Sequence, residues 1–133
     1  LEDGTWDDIM DNIDPVMIPL LPEGLPEAYV FESGAIDQPN RSDIYMTLMY
    51  GNSNTNTTIQ INYMYKSENS DMLCVMGIDQ YESRQWDEID VHITMRNKAF
   101  NIAWQQGACV VEVFGAESEE AGRIIFDAIQ REP

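Results

Sequence analysis

The sequence has few of the residues from which active sites and metal centres are usually built. Its 133 residues include one histidine and two cysteines. No apolar run approaches the ~20 residues of a membrane-spanning helix, and no phosphate-binding glycine loop, G-x-S-x-G or H-E-x-x-H motif occurs. The sequence therefore assigns no catalytic residue, no cofactor-binding residue and no metal ligand, and we expect a protein that is not an enzyme.

Basic residues are scarce as well. Seven lysines and arginines stand against 24 aspartates and glutamates, which gives a formal net charge of −17. Nucleic acids and anionic membrane surfaces attract proteins mainly through cationic side chains, so this balance argues against both as partners. The chain is 44% hydrophobic and long enough for one domain, so it can still bury a core.

The single histidine and the two cysteines offer little chemistry where they stand. His92 alternates with apolar residues beside Asp90 and Thr94, and this pattern predicts a solvated histidine on the polar face of a strand. The spacing of Cys74 and Cys109 matches no zinc or redox motif. We expect two buried thiols, and a single disulfide remains the alternative if the domain is exported.

Acidic residues form three clusters along the chain. A calcium ion needs six to eight converging oxygen ligands, and no EF-hand-like run supplies them. We interpret the clusters as solvent-facing surfaces and as first-turn residues of helices, with a structural calcium site as the minor alternative. The clusters are Asp7/Asp8/Asp11/Asp14, Asp87/Glu88/Asp90 and Glu117/Glu119/Glu120.

The N-terminal part of the chain divides into a helix and a proline-rich stretch. The stripe of Trp6, Ile9, Met10 and Ile13 predicts a helix over Thr5–Ile13, within residues 1–14. Thr5 is suited to cap this helix, and the Asp14-Pro15 step to end it. Four prolines then punctuate residues 15–27, which we expect to be extended, not helical, with their leucines and isoleucine packed on the main body.

Residues 28–114 carry the period-two alternation of strands that are buried on one side. Between the second and third strands, Gly51–Thr57 is predicted to be an exposed hairpin loop. Met72–Ile78 is a possible further strand, and residues 79–86 show no clear pattern. The clear strands are Tyr29–Ile36, Ile44–Tyr50, Thr58–Tyr65, Ile89–Met95, Phe100–Trp104 and Cys109–Phe114.

The last element is an amphipathic helix over Ser118–Gln130, with Ser118 as its N-cap. Its apolar stripe needs a sheet face to lie on. We therefore predict a single α+β domain: an antiparallel meander of about six or seven strands, packed on one face by the C-terminal helix, with a short N-terminal helix. The stripe comprises Ala121, Ile124, Ile125, Ala128 and Ile129.

Three segments resemble a known family. They are LPEGLPEAYVFESGAI, IYMTLMYGN followed by TTIQINYMY, and VHITMRNKAFNIAWQQGACVVEVFGAESEEAGRIIFDAI. Together they are similar to a bacterial domain-of-unknown-function family found at the extracytoplasmic C-terminus of anti-sigma-factor-like and sporulation-associated membrane proteins. The resemblance implies a sensory or protein-binding role outside the membrane of a Gram-positive bacterium, in a membrane-anchored parent protein.

The chain begins with leucine, not methionine, so we expect that an upstream segment was removed. Our hypothesis is a non-enzymatic extracytoplasmic domain that binds a protein partner or envelope component through the mixed sheet face or the Gly51–Thr57 loop. The alternative is a carrier of an apolar ligand, similar to a lipoprotein-chaperone half-barrel. It requires the sheet face formed by Ile59, Ile61 and Tyr63 to be only partly covered by helix.

Overall fold

The computed structural model describes residues 1–66, 81–96 and 98–129. They form an antiparallel sheet with helices packed on one side, which confirms the predicted α+β fold class. No helix in the described ranges is long and apolar enough to cross a membrane. The elements are α1 (Trp6–Asn12), a 3-10 helix (Pro15–Leu20), β1 (Tyr29–Asp37), β2 (Asp43–Asn52), β3 (Thr57–Lys66), β4 (Glu82–Trp86), β5 (Ile89–Arg96), β6 (Ala99–Gln106), β7 (Cys109–Ala116) and α2 (Glu119–Ile129).

The sheet consists of two meanders joined in the middle. Its strand order is β1-β2-β3-β7-β6-β5-β4, so β1 to β3 follow one another and β4 to β7 return in reverse. The join is the antiparallel pair β3 and β7, in which Ile61 lies opposite Val113 and Tyr63 opposite Val111. Alternation within each strand predicted the strands, but this long-range pairing departs from a single continuous meander.

The side of the sheet on which the helices lie is called the helical face here, and the other side the far face. Alternate residues of the central strands, among them Leu48, Ile61 and Val111, point to the helical face and are fully buried. Trp104 and Phe126 meet there edge to face, with ring centroids 4.9 Å apart. The hydrophobic core therefore lies between the helices and the sheet.

The first helix closes one half of the core. Thr5 caps α1 as predicted, in a capping box with Asp8, and Ile9 is fully buried. Gly34 of β1 allows this close approach, because a Cβ atom at that position would lie 2.7 Å from Cδ1 of Ile9. The predicted stripe is right for Ile9 but wrong for Met10, which is exposed.

The prediction of an extended, non-helical stretch over residues 15–27 is wrong for its first six residues. Pro15–Leu20 is a 3-10 helix, with Pro15 in the first turn, where no backbone N–H is needed. The Asp14 carboxylate accepts a hydrogen bond from the Val16 N–H at 3.0 Å. Leu20 packs in the core as expected, whereas Ile18 is 40% exposed, which contradicts its predicted burial.

The C-terminal helix closes the other half of the core and begins where predicted, with the Ser118 hydroxyl accepting from the Ala121 N–H at 3.1 Å. The helix is rotated relative to the predicted stripe, since Ile124 is 43% exposed and Phe126 is fully buried. Gly122 explains the rotation. It has no side chain and lies against Ile102 of β6, so the helix can approach the sheet closely. The large Phe126 ring then reaches the core.

Part of the chain without a clear sequence pattern proves to be a strand. Glu82–Trp86 forms β4 at one edge of the sheet, paired with β5. Arg123 of α2 lies over the Trp86 ring, 5.3 Å from its centroid, and forms ion pairs with Asp87 and Asp127. The possible strand Met72–Ile78 lies outside the described residues.

Candidate interaction face

The far-face side chains of β2 and β3 form an uncharged surface between the strand ends. On β2 and β3, every second residue between the strand ends is half-buried, while its neighbours are buried on the helical face. These side chains are amides, a hydroxyl, methionines and one tyrosine, in a chain whose net charge is −17. We call them the central patch: Tyr45, Thr47, Met49, Gln60, Asn62 and Met64.

Hydrogen bonds between side chains hold the central patch in place. The Oδ1 atom of Asn62 accepts from the Thr47 hydroxyl and from Nε2 of Gln60, both at 2.9 Å. At one end of the patch, Lys66 donates to the Tyr45 hydroxyl at 3.0 Å and pairs with the Asp43 carboxylate. These two contacts raise the pKa of Lys66, the hydrogen bond to Tyr45 most of all.

A row of cross-strand neighbours continues from the central patch to β4. Asn62 lies opposite Glu112 on β7, Glu112 lies opposite Ala103 on β6, and Ala103 lies opposite His92 on β5. Because directly paired residues point to the same side of a sheet, all four side chains belong to the far face. This confirms the placement of His92 on the predicted polar face.

His92 is held differently from a solvated histidine. Its ring stacks on Tyr81, with centroids 4.1 Å apart and planes 4° from parallel. Its Nδ1 atom is buried and has no hydrogen-bond partner. The expectation of a solvated side chain is therefore wrong for this atom. Ser83 lies opposite His92, and no hydrogen bond joins them in the described part of the chain.

Glu112 is the carboxylate of this row. It is half-buried in the middle of the sheet, and burial raises its pKa. Among the described residues, it makes no hydrogen bond and no ion pair. A carboxylate in such a position is unusual, because buried charges in proteins are normally paired.

Several residues of the three acidic clusters cap helices or form contacts within the chain. Asp8 and Asp14 cap helix starts, while Asp87 pairs with Arg123 and Glu119 with Arg84. Gln85 donates a hydrogen bond to Asp90. Within residues 1–66, 81–96 and 98–129, no three histidine, cysteine, aspartate or glutamate side chains converge on a point that could hold a metal ion.

One of the two cysteines can be placed. Cys109 begins β7 as a buried free thiol, as expected, and burial raises its pKa to about 12. Cys74 lies outside the described residues. A thiol with so high a pKa is almost entirely protonated at neutral pH, and the protonated form is a poor nucleophile and metal ligand.

The loop between β2 and β3 lies where predicted but is shorter than Gly51–Thr57. β2 ends at Asn52 and β3 begins at Thr57, and residues 53–56 between them are exposed. Oδ1 of Asn52 accepts from the Asn54 N–H at 2.9 Å, and Asn56 has a φ of 59°. The loop is thus a compact polar turn at one end of the central patch.

The helical face offers little room for the apolar-ligand alternative. Ile59, Ile61 and Tyr63, which that alternative requires to be partly uncovered, are 3% exposed or less. The Tyr63 hydroxyl donates to the Leu20 carbonyl at 2.8 Å, and Ile125 is fully buried. The chain's own helices therefore occupy this face.

Sequence reasoning did not single out Glu112, Ala103 or Tyr81. Glu112 carried a signal, as the one charged residue in the apolar run Cys109–Phe114. Its position beside Asn62 depends on the β3–β7 pairing, which joins segments about 50 residues apart and leaves no local pattern. Tyr81 falls in the stretch that could not be assigned.

Comparisons with known proteins add nothing to this geometry: no family model matches the chain, and searches of curated proteins and of solved structures find no match.

Proposed function

We propose that this chain is a non-enzymatic, extracytoplasmic sensory or protein-interaction domain of a bacterial envelope or regulatory protein, and that its partner binds the central patch. The observation that carries the proposal is the uncharged, half-exposed surface of β2 and β3 in a strongly acidic protein. Cores of protein interfaces are depleted in charge and enriched in methionine and tyrosine, as this patch is.

The rigidity of the patch supports the same proposal. Its side chains stand on two strands paired over ten consecutive positions, and the Asn62 amide is held by two hydrogen bonds. A surface that is ordered before binding loses little conformational entropy when a partner docks. The Gly51–Thr57 loop adjoins the patch and extends the surface available to the same partner.

The extracytoplasmic part of the proposal rests on the family resemblance of the three sequence segments. It is tested by adding a membrane-impermeant protease to intact cells that express the natural protein. We expect cleavage of this domain without lysis. Cleavage that occurs only after lysis would contradict the extracytoplasmic location.

The interaction part is tested by photocrosslinking in the same cells. A photoreactive residue replaces Met49 in the central patch or, as a matched control, Met95, which is 66% exposed at the end of β5. We expect one defined crosslinked protein from position 49 and none from position 95. Equal products from both positions, or none from position 49, would contradict a partner on the central patch.

A further inference from the structure

The far face of β1 continues the uncharged surface of the central patch. Ser33 lies opposite Met49, and directly paired residues point to the same side of a sheet. Val30 lies opposite Gly51, two residues beyond Met49, so its side chain also belongs to the far face. That side chain is 56% exposed. An exposed apolar side chain beside the central patch extends the area that a partner can cover.

A β-bulge in β1 brings a carboxylate to this surface. The pairing of β1 with β2 shifts between Phe31 and Ser33, so Glu32 is an extra residue without a partner on β2. Its carboxylate lies over Gly51, where an added Cβ atom would be 3.1 Å from Oε1 of Glu32. The bulge redirects the Glu32 side chain, and the missing side chain of Gly51 leaves room for it.

Asp37 is a second carboxylate beside the same surface. It lies opposite Tyr45 at the other end of β1, so its side chain also belongs to the far face. Glu32 and Asp37 are both exposed, and neither forms an ion pair or a hydrogen bond within the part of the chain that the structure describes. We call these two carboxylates the β1 margin. On the β7 side the bordering carboxylate, Glu112, is half-buried.

The cations near this surface do not neutralise the β1 margin. Lys66 is already paired with Asp43 at 3.6 Å. Arg41, in the loop between β1 and β2, forms no ion pair with a described residue, and no other lysine or arginine occurs from residue 29 to residue 66. The β1 margin therefore leaves two carboxylates for the cations of a partner.

We propose that the partner of the central patch is a protein whose contact surface has an uncharged centre and has lysine or arginine side chains along the edge that meets the β1 margin. This inference rests on the proposed function and names the chemistry of the partner. Opposite charges at the rim of an interface speed association and fix the orientation in which the partner docks. A second copy of this chain is disfavoured, because each copy carries a net charge of −17.

The test adds matched charge variants to photocrosslinking from position 49 in the natural protein. Glu32→Gln with Asp37→Asn removes both carboxylates of the β1 margin. The control, Glu120→Gln with Asp11→Asn, makes the same two chemical changes at exposed residues of α2 and α1, on the other side of the sheet. The two variants have equal net charge, and their Tm values check that both fold.

The sign of the effect identifies the partner's charge. We expect the crosslink yield after short illumination to fall about fivefold in the β1-margin variant and to stay within about twofold of the parent in the control. Equal yields in the two variants would overturn the proposal, although the crosslink would still support a partner on the central patch. A higher yield in the β1-margin variant would also overturn it, because an acidic partner or a second copy would then be relieved of repulsion. No product from the parent would contradict the proposed function itself, and this inference with it.

A second measurement reads the partner's sequence beside the β1 margin. Ala35 lies on the far face between Glu32 and Asp37, opposite Thr47, and a photoreactive residue replaces it. Mass spectrometry of the crosslinked product identifies the joined segment of the partner. We expect that segment to contain lysine or arginine and to have a net positive charge. A segment with a net negative charge, or one from a second copy of this chain, would overturn the proposal.

Discussion

The two faces of the sheet differ in what their side chains contact. On the helical face, Trp104 is fully buried against Phe126 of α2, and Tyr63 is buried with its hydroxyl bonded to the 3-10 helix. On the far face, the central patch is half-exposed and joined by hydrogen bonds between side chains. The comparison teaches that one face of each strand carries the stability of the fold, which leaves the residues of the other free to serve binding.

The largest expected effect concerns the reactivity of Cys109, which is buried on the helical face and reports whether that face opens to solvent. In a Cys74→Ser variant, Cys109 is the only thiol, and both its burial and its pKa of about 12 oppose alkylation. We expect iodoacetamide to react at least about a thousandfold more slowly than in denaturant, since labelling requires global unfolding. Rapid labelling of the native protein would show that this face opens locally.

Truncating one side chain on each face compares how much the two faces contribute to the free energy of unfolding. Trp104→Ala removes a fully buried ring packed against Phe126, and we expect a loss of about 3–5 kcal/mol in the free energy of unfolding. Thr47→Ala on the far face removes one hydrogen bond to Asn62 and should cost about 1 kcal/mol. Urea denaturation measures both values. Similar losses would contradict the division of roles.

The approach of α2 to the helical face depends on Gly115, just before the end of β7. Its φ is 91°, and a Cβ atom there would lie 2.6 Å from the Thr58 carbonyl oxygen. Gly107 also has a positive φ, 61°, but nothing lies within 4 Å of a Cβ atom there. Gly107→Ala should cost about 1 kcal/mol and Gly115→Ala at least about twice as much. Equal losses in urea denaturation would show that the contact with Thr58 carries no energy.

The smallest expected effect concerns Glu112 on the far face. Its raised pKa means that the folded state holds this proton more tightly than the unfolded state does. Stability is therefore lost as pH rises through the interval from the ordinary glutamate pKa to the raised one. Glu112→Gln lacks this loss, so its Tm relative to wild type should be higher at pH 7 than at pH 4.

The control for this measurement is Glu117→Gln, which gives the effect of removing one formal charge from an exposed position. The Tm of Glu112→Gln should exceed that of Glu117→Gln at pH 7, because only the Glu112 carboxylate loses its charge-solvating water on folding, and the excess should shrink at pH 4. A difference between the two variants that does not change between pH 4 and pH 7 would contradict an unpaired, half-buried Glu112.

Local physics made the secondary structure predictable. Alternation along β2 and β3, the Thr5 cap and the Ser118 cap each depend on residues within a few positions of one another. The 3-10 helix was missed because four prolines indicate an extended chain, although Pro15 at a first turn is compatible with a short helix.

Tertiary contacts decided what could not be predicted. The rotation of α2, which exposes Ile124 and buries Phe126, follows from the fit of Gly122 against Ile102. The row of far-face residues from Asn62 through Glu112 and Ala103 to His92 depends on three strand pairings, and one of them, β3 with β7, joins distant parts of the chain. The pattern of residues within a single helix or strand predicts neither the rotation of α2 nor this row.

The central claim is that the helical face stabilises the fold while the far face binds a partner. Its most direct test combines photocrosslinking at position 49 with a second substitution. Met64→Arg places a charge in the central patch, where a half-exposed side chain can reach solvent, and Met95→Arg is the matched control. We predict that Met64→Arg abolishes the crosslink with a Tm within a few degrees of wild type, while Met95→Arg keeps both. An undiminished crosslink in Met64→Arg would contradict a binding role for the far face.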